Sequence, residues 1–334
     1  MKLKFLIFGI LALAIIGIAV FAIYWTKFKP TLLRIEANPE KGFYWPYYLY
    51  IPGFVWRGDN GKTYLLVEPN NTGEASDDLA VHEAWVEEVI QTRGKEMADE
   101  LKIPILIPVF LRPRTPEFSI TVDSDTTFYS LDTHNLNRAT LLTKIEGLER
   151  IDLQLIAMID DARERLSSKG IDAENRVFMM GFSDSGSFTN KFSLLHPEMV
   201  RAAAIGAPGG WITVPLDEWD GIKLRYPVGV SDLEDLVGKE FDIESFKTIP
   251  FYIYMEDQDT RDSVPAVDVF EPEDGKLIRE DFGDTPLERW PILENIFKSA
   301  GSKAHFVIYP GVGHELTDKM LNDVKNFFLK QLTF

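Results

Sequence analysis

One short segment constrains the architecture of this chain more than any other, the Gly-Phe-Ser-Asp-Ser-Gly sequence at residues 181–186. It follows an apolar run that predicts a buried strand, and it precedes a run over residues 187–195 that predicts a helix. A sharp turn between strand and helix requires small residues two positions before and after its apex. Gly181 and Ser185 meet that requirement around Ser183, although glycine is more usual at the position of Ser185. The segment therefore predicts that Ser183 exposes a nucleophilic hydroxyl for acyl transfer or hydrolysis.

The composition excludes several classes of function. With 52 acidic against 35 basic side chains, the net charge of −17 argues against a nucleic-acid partner. The chain contains no cysteine, so disulfides, thiolate metal sites and cysteine nucleophiles are excluded. Beyond the N-terminal segment, residues 31–334 are numerous enough for one large α/β domain or two small ones. The 45% hydrophobic content of the whole chain supplies enough apolar side chains for a substantial core.

The N-terminal segment predicts membrane attachment. Residues 5–25 carry no charge and are flanked by lysines on both sides. A bilayer core requires about 20 apolar residues in a helix, whereas the apolar region of a cleaved signal peptide has roughly 7–15. We expect residues 1–30 to hold an uncleaved transmembrane anchor that leaves the catalytic domain outside the cytoplasm. The alternative is secretion after signal cleavage.

Strand and helix patterns alternate along the rest of the chain. Strands are expected at residues 32–37, 47–51, 63–67, 103–110, 176–180, 200–207, 251–255 and 305–309. Helices are expected at residues 79–101, 141–167, 187–195, 286–300 and 318–331. The alternation predicts an α/β fold with a mostly parallel sheet and helices on both faces. Residues 211–248 do not fit it, and form either a lid-like insertion over the site or an ordinary surface connection.

Four motifs give the chain a resemblance to the α/β-hydrolase superfamily. They are the 181–186 segment, Leu195-His196-Pro197, Val264-Pro265 and Gly311-Val312-Gly313-His314. The chain looks closest to secreted esterases of the polyhydroxybutyrate depolymerase-like and feruloyl esterase-like kinds. The resemblance covers roughly residues 32–334. It implies the α/β-hydrolase fold and the cleavage of a small-molecule or polymeric carboxylic ester through an acyl-enzyme, without a cofactor.

The resemblance also implies that serine, acid and histidine follow one another along the chain, each at the carboxyl end of a strand. Four of the five histidines lie before Ser183 or away from such an end: His82, His134, His196 and His305. His314 lies just beyond the last expected strand, in a loop that two glycines make adaptable. His314 is therefore the expected general base.

The acid is expected just after the strand at residues 251–255. Four carboxylates follow that strand: Glu256, Asp257, Asp259 and Asp262. Asp259 is favoured because related proteins carry the acid at this distance, shortly before a Val-Pro pair, and Asp262 is the alternative. The stretch lacks the spaced ligands and the glycine of a calcium loop, so no metal is expected there.

The developing oxyanion requires two hydrogen-bond donors. The backbone N–H of Asp184 is expected to supply one of them. The loop at residues 68–73 is expected to supply the other, and the sequence leaves three candidates open: Asn70, Asn71 and Thr72.

Three alternatives compete with this interpretation. Ser185 is also flanked by small residues, but the nucleophile must lie at the very end of the strand, which favours Ser183. A serine peptidase of the same fold would carry the same residues. A non-catalytic binding protein that kept the fold is the alternative from another class, and the complete serine, acid and histidine set disfavours it.

Overall fold

The computed structural model describes residues 29–114, 119–123, 126–129, 131–266 and 269–332. The transmembrane anchor predicted within residues 1–30 therefore lies almost entirely outside the described residues. Within them, no helix has the length and apolar character that crossing a membrane requires.

A twisted sheet of eight strands forms the centre of the described part of the chain. Its strands are β1 (Thr31–Ile35), β2 (Tyr47–Ile51), β3 (Leu66–Val67), β4 (Ile105–Pro108), β7 (Val177–Phe182), β8 (Val200–Gly206), β11 (Pro250–Glu256) and β12 (Lys303–Tyr309). They lie in the order β1-β2-β4-β3-β7-β8-β11-β12, and only β2 runs against its neighbours. The prediction of a mostly parallel sheet is confirmed. Two small hairpins lie outside it, β5 (Ser119–Asp123) with β6 (Thr126–Tyr129), and β9 (Glu218–Trp219) with β10 (Ile222–Lys223).

Helices connect the strands and cover both faces of the sheet, as predicted. They are α1 (Leu79–Gln91), α2 (Arg93–Leu101), α3 (Arg138–Leu142), α4 (Ile151–Ser168), α5 (Asp184–Leu195), α6 (Leu233–Val237), α7 (Ile243–Lys247), α8 (Pro272–Phe282), α9 (Pro286–Ser299) and α10 (Asp318–Leu332). Local sequence sets several of their ends. Thr285 and Glu288 form a reciprocal capping box at the start of α9, and Pro197 follows the end of α5, where the helix cannot continue.

Alternating side chains of the strands divide the core into two apolar layers. In β7, Val177 and Met179 join the layer beneath α4, α5 and α9, whereas Phe178 and Met180 join the layer beneath α1, α2 and α10. Each such fully buried apolar side chain contributes about 1.5–3 kcal/mol to folding. The two layers hold the sheet rigid, so the loops at the carboxyl ends of its parallel strands have fixed starting points.

Three expected elements differ from those observed. The helix expected over residues 79–101 is two helices, because the chain turns at Thr92, whose hydroxyl donates to the carbonyl of Glu88. The helix expected over residues 141–167 is likewise α3 and α4, separated by a loop. The strand expected over residues 63–67 pairs regularly only at Leu66–Val67, with an isolated bridge at Thr63.

Residues 211–248 pack into the body of the protein. Trp211 is 2% exposed, and its indole N–H donates to the carbonyl of Val228 at 3.1 Å. Leu224 and Tyr226 are fully buried in the layer beneath α4, α5 and α9. Their burial ties this segment to the core, while its lid-like role stays a prediction.

Candidate active site

Ser183 occupies the apex of the turn between β7 and α5. Its backbone has φ 62° and ψ −128°, a conformation that is costly for any residue with a side chain. The turn is held on both sides, since the N–H of Ser183 donates to Gly206 in β8 at 2.9 Å and its carbonyl accepts from Ser187 at 3.0 Å. Among the described residues its hydroxyl has no hydrogen-bond partner and is half-buried. The strained turn therefore presents an uncommitted hydroxyl.

Two glycines make this turn possible. A Cβ on Gly181 would lie 2.1 Å from the carbonyl oxygen of Ser185, and a Cβ on Gly186 would lie 2.4 Å from the carbonyl oxygen of Gly206. Neither position accepts a side chain without a shift of the backbone. Gly186 allows α5 to approach β8 closely. The small-residue pattern around Ser183 covers only positions 181 and 185, so it does not predict this requirement at position 186.

Ser185 has a structural position in the same turn. It is fully buried, and its Oγ accepts from the N–H of Phe182 at 2.9 Å and lies at the same distance from the carbonyl of Phe182. The hydroxyl thus joins the end of β7 to the first turn of α5. This bond explains why a serine fits where glycine is more usual, and it directs the hydroxyl away from solvent.

His314 and Asp259 are hydrogen-bonded at the carboxyl edge of the sheet. Nδ1 of His314 lies 2.8 Å from Oδ2 of Asp259, and both side chains are largely buried. Burial alone would raise the pKa of Asp259, but hydrogen bonds from His314 and from the N–H of Arg261 outweigh it and lower that pKa. The pair therefore holds an ionised carboxylate against the imidazole.

The imidazole also contacts the turn. The ring of His314 lies 5.0 Å, centroid to centroid, from the ring of Phe182, the residue immediately before Ser183. The structure thus brings His314 and Asp259 from two different loops to the end of β7 that carries Ser183.

Asp262 has a different partner. Its Oδ1 accepts from Nη1 of Arg289 at 2.9 Å and from the N–H of Val264 at 3.0 Å. Arg289, on α9, is fully buried. The alternative acid therefore pairs with a buried guanidinium, and among the described residues no hydrogen bond joins it to a histidine.

The loop after β3 anchors itself to its neighbours through its side chains. Asn70 is buried and bonds both backbone groups of Phe110. Asn71 donates to the carbonyl of Phe182 at 3.0 Å, and the hydroxyl of Thr72 lies 2.9 Å from Nδ1 of His82. All three candidate side chains are thus occupied in holding the loop.

A buried polar cluster lies behind Asp184, and the sequence analysis did not identify it. The carboxylate of Asp184 accepts from Nδ2 of Asn135 at 3.2 Å and lies 3.6 Å from the guanidinium of Arg112. Asn135 is held in turn by Lys191 of α5, whose ammonium contacts both the backbone and the side-chain oxygens of that residue, and by the hydroxyl of Ser187 at 3.3 Å. The one sequence signal for this cluster is Lys191, a charged residue within the helical pattern of α5.

Lys191 is almost completely buried in that cluster. Burial lowers its pKa to about 7, although the carboxylates of Asp132 and Asp184 oppose the shift. The lysine therefore exchanges its proton near neutral pH, and it does so next to the residue whose N–H follows the nucleophile.

Glu256, the last residue of β11, is a second buried titratable group. It is fully buried, and neither carboxyl oxygen has a hydrogen-bond partner among the described residues. Burial, with smaller contributions from the charges of Asp259 and Glu315, raises its pKa to about 8. Near neutral pH it is a neutral acid, so it adds no further charge beside Asp259.

An apolar cleft opens beside Asp259. It lies between the loop after β8, the end of β11 and α9, and its lining includes Ala207, Trp211, Met255, Asp259, Arg261 and Trp290. Ala207 directly follows Gly206, which bonds the N–H of Ser183. The cleft therefore borders the acid and the end of β8 next to the turn, and Arg261 is its cationic member.

Two other histidines, His196 and His134, are buried away from the turn. Nε2 of His196 lies 2.9 Å from the carboxylate of Asp152, and both are buried. Burial lowers the pKa of His134 to about 3, which keeps its imidazole neutral. Within the described ranges, no group of three or more histidine or carboxylate side chains is placed to hold a metal ion.

Comparison with known proteins identifies the fold. No protein-family model matches the sequence, and no curated protein matches it. The solved structure of LpqC, a poly(3-hydroxybutyrate) depolymerase from Bordetella parapertussis, is similar over 92% of each chain, with a TM-score of 0.55 and 17% identity. Poly(aspartic acid) hydrolase-1 from Sphingomonas sp. KT-1 is similar over 91% of this chain and 98% of its own, with a TM-score of 0.52 and 16% identity. At these identities the likeness establishes the fold alone, and together with the strand order described above it shows that this chain has the α/β-hydrolase fold.

Proposed function

We propose that this protein is a serine hydrolase that cleaves carboxylic esters through an acyl-enzyme, with Ser183 as nucleophile, His314 as general base and Asp259 as the acid. The observation that carries the proposal is the strained backbone of Ser183 at the strand-to-helix turn. Folding holds such strain where a site requires it. The hydrogen bond between His314 and Asp259 supports the other two assignments.

In the proposed reaction, Oγ of Ser183 attacks the carbonyl carbon of the ester while Nε2 of His314 accepts the hydroxyl proton. Asp259 orients the imidazole through Nδ1 and stabilises its positive charge. The tetrahedral intermediate collapses by expelling the alcohol, which takes the proton from His314. Water then attacks the acyl-enzyme by the same route, releasing the acid and restoring the Ser183 hydroxyl.

The oxyanion is assigned to backbone donors. One is the N–H of Asp184 at the start of α5, where the helix dipole also favours negative charge. The other is an N–H of the loop at residues 70–72, because its side chains already bind Phe110, Phe182 and His82. Asn71, whose amide is tied to the residue before Ser183, is the best-supported source.

We infer that the substrate is a carboxylic ester with an apolar acyl or alcohol group, because the lining of the cleft beside Asp259 is mostly apolar. The two similar structures are a poly(3-hydroxybutyrate) depolymerase and a poly(aspartic acid) hydrolase by name. Polymeric esters should therefore be tested as substrates together with small nitrophenyl esters. Peptide nitroanilides test the alternative of a serine peptidase.

A fluorophosphonate probe tests the mechanism on the full chain. We expect labelling of the native protein, loss of labelling in Ser183→Ala and retention in Ser185→Ala. If labelling disappears only in Ser185→Ala, Ser185 rather than Ser183 is the nucleophile. A folded native protein that takes up no label and cleaves no ester would favour the non-catalytic binding protein.

We further infer that residues 5–25 anchor the protein in a membrane, with the catalytic domain outside the cytoplasm. The support is the length and lack of charge of that stretch. Retention of the full chain in membranes after alkaline carbonate washing, with the domain accessible to added protease, is the expected result. Release by carbonate with a shortened N-terminus would instead indicate a cleaved signal peptide.

A further inference from the structure

A groove with exposed aromatic and basic side chains lies at the edge of the sheet opposite the candidate active site. Its lining includes Lys29, Phe54, Trp56, Arg57 and Lys169. Phe54 is 56% exposed, more than any other large hydrophobic side chain in the described part of the chain. We call this surface, together with Lys102, the aromatic-basic face.

The charge of this face contrasts with that of the whole protein. The net charge is −17, yet four basic side chains surround the groove, and none of them has an ion-pair partner within the described ranges: Lys29, Arg57, Lys102 and Lys169. The ammonium of Lys102 lies 5.3 Å above the ring of Phe54. The arginine donates to the backbone carbonyls of Gly61 and Gly170, so its charge is not neutralised. The charged side chains that line the groove are therefore all basic, while the carboxylates of Asp59 and Glu174 lie on the neighbouring surface that Trp56 and Arg57 also line.

The position of the face along the chain indicates its partner. The described structure begins at Lys29, which lines the groove, and the uncharged stretch ends only four residues earlier, at residue 25. Four residues span at most about 14 Å when fully extended. A membrane that holds residues 5–25 therefore lies within reach of Phe54 and its basic neighbours.

We propose that the aromatic-basic face docks on the headgroup region of an anionic bilayer, with Phe54 entering the interface and the basic side chains contacting lipid phosphates. The proposal rests on the anchor inferred above for residues 5–25. Aromatic side chains favour the membrane interface, and basic side chains close to an anionic surface are attracted to it. Docking fixes the orientation of a domain that a short tether alone would leave free to rotate.

This orientation turns the candidate active site away from the membrane. The groove lies at the amino ends of the parallel strands, because Thr31 and Ile51 pair there and Trp56 bonds the carbonyl of Lys102, just before β4. Ser183, Asp259 and His314 follow the carboxyl ends. The seven residues of β11 separate the two edges by about 23 Å. The substrate therefore reaches the cleft from the aqueous side rather than from the bilayer to which the protein is anchored.

The absence of native cysteine allows a direct test with single labels. The full chain is reconstituted in vesicles of equal parts phosphatidylglycerol and phosphatidylcholine containing a headgroup-nitroxide lipid. An environment-sensitive fluorophore is attached at Ser168→Cys, next to the groove, or at Thr260→Cys, at the carboxyl edge; both positions are exposed. We expect strong quenching at position 168 and none at position 260.

Charge and apolar variants identify the cause of the quenching. Phe54→Glu combined with Lys102→Glu is expected to lower quenching at position 168 to the level of position 260. The matched control is Ile308→Glu, which alters an exposed apolar residue of β12 and leaves the groove intact; it is expected to keep the quenching. Equal, weak quenching at both positions of the native chain would overturn the docking proposal.

A carbonate wash of the same vesicles separates this result from the fate of the anchor. Retention without quenching at position 168 rejects docking and leaves the anchor in place. If position 168 is quenched before the wash and carbonate then releases the protein, the anchor is rejected. The aromatic-basic face would then bind the membrane as a peripheral surface. Nitrophenyl ester hydrolysis by the unlabelled native chain in the same vesicles reports the proposed catalytic function independently of both.

Discussion

The buried guanidinium of Arg289 binds Asp262 at 2.9 Å, while Asp259, three residues earlier, binds His314 at 2.8 Å. One short loop thus carries two carboxylates with different partners. The first arrangement satisfies a buried cation, which is costly to leave unpaired. The second orients an imidazole. The two carboxylates are therefore expected to respond to mutation in different ways.

Asp259→Asn is expected to lower kcat by roughly 10³–10⁴-fold with little loss of stability, because the amide no longer favours the correct tautomer of His314. Asp262→Ala is expected to lower the free energy of unfolding by about 3 kcal/mol, since it leaves Arg289 buried without its carboxylate. Steady-state hydrolysis of a nitrophenyl ester and urea unfolding measure the two effects. A large loss of kcat in a folded Asp262→Ala protein, with an active Asp259→Asn protein, would reverse the assignment.

Gly186→Ala is expected to destabilise the protein by roughly 1–3 kcal/mol or more, because the new Cβ would lie 2.4 Å from the carbonyl oxygen of Gly206 and force α5 away from β8. Gly313→Ala is the matched control, since a Cβ there meets no atom within 4 Å. Thermal unfolding followed by circular dichroism compares the two. Equal melting temperatures would show that α5 adjusts without cost.

Local patterns were sufficient to predict the parts of the site that lie next to a strand end. The turn at Ser183 was predicted because small residues, an apolar strand and a helix follow one another in sequence. The strand order then brings His314 near it, an expectation that came from the resemblance to α/β-hydrolases. The pattern of periodicity also places α5, α9 and α10 within a few residues of their observed bounds, whereas it does not predict α6, α7 or α8.

The parts that sequence could not predict depend on contacts between distant residues. Nothing in the loop at residues 256–262 indicates that Arg289 binds Asp262, because the two lie 27 residues apart. The contact of Lys191 with Asn135 joins residues 56 apart. The break between α1 and α2 at Thr92 was missed for a local reason, since a threonine hydroxyl that bonds the carbonyl four residues earlier is also compatible with a continuous helix.

Lys191→Met is expected to lower kcat about tenfold while leaving KM unchanged. The substitution removes the ammonium that holds Asn135, whose amide in turn binds the carboxylate of Asp184. Loss of these contacts loosens the start of α5, where the proposed oxyanion donor lies, and such donors act mainly in the transition state. Asn135→Ala is expected to give a similar loss, and the double variant to give little more, because residues of one network are not additive.

An additive loss in that double variant, or a change confined to KM, would contradict the positioning role of Lys191. A pH profile adds a second measure. Burial lowers the pKa of Lys191 to about 7, so any part of the kcat profile that reflects its charge lies near neutral pH and is absent from Lys191→Met.

Glu256→Gln is expected to remove a pH-dependent destabilisation. The carboxyl has a pKa of about 8 in the folded protein, against about 4.3 in an unfolded chain. Between those values the folded state retains a proton that the unfolded state has lost, so the free energy of unfolding falls by up to about 1.4 kcal/mol per pH unit as the pH rises. Glutamine has no such proton, and it keeps the size and neutrality of the protonated acid.

The variant should therefore match the native protein near pH 4 and exceed its stability increasingly towards pH 8, as measured by urea unfolding across that range. Parallel curves for the two proteins would mean that Glu256 ionises normally in the folded state, and that the buried neutral acid beside Asp259 does not exist.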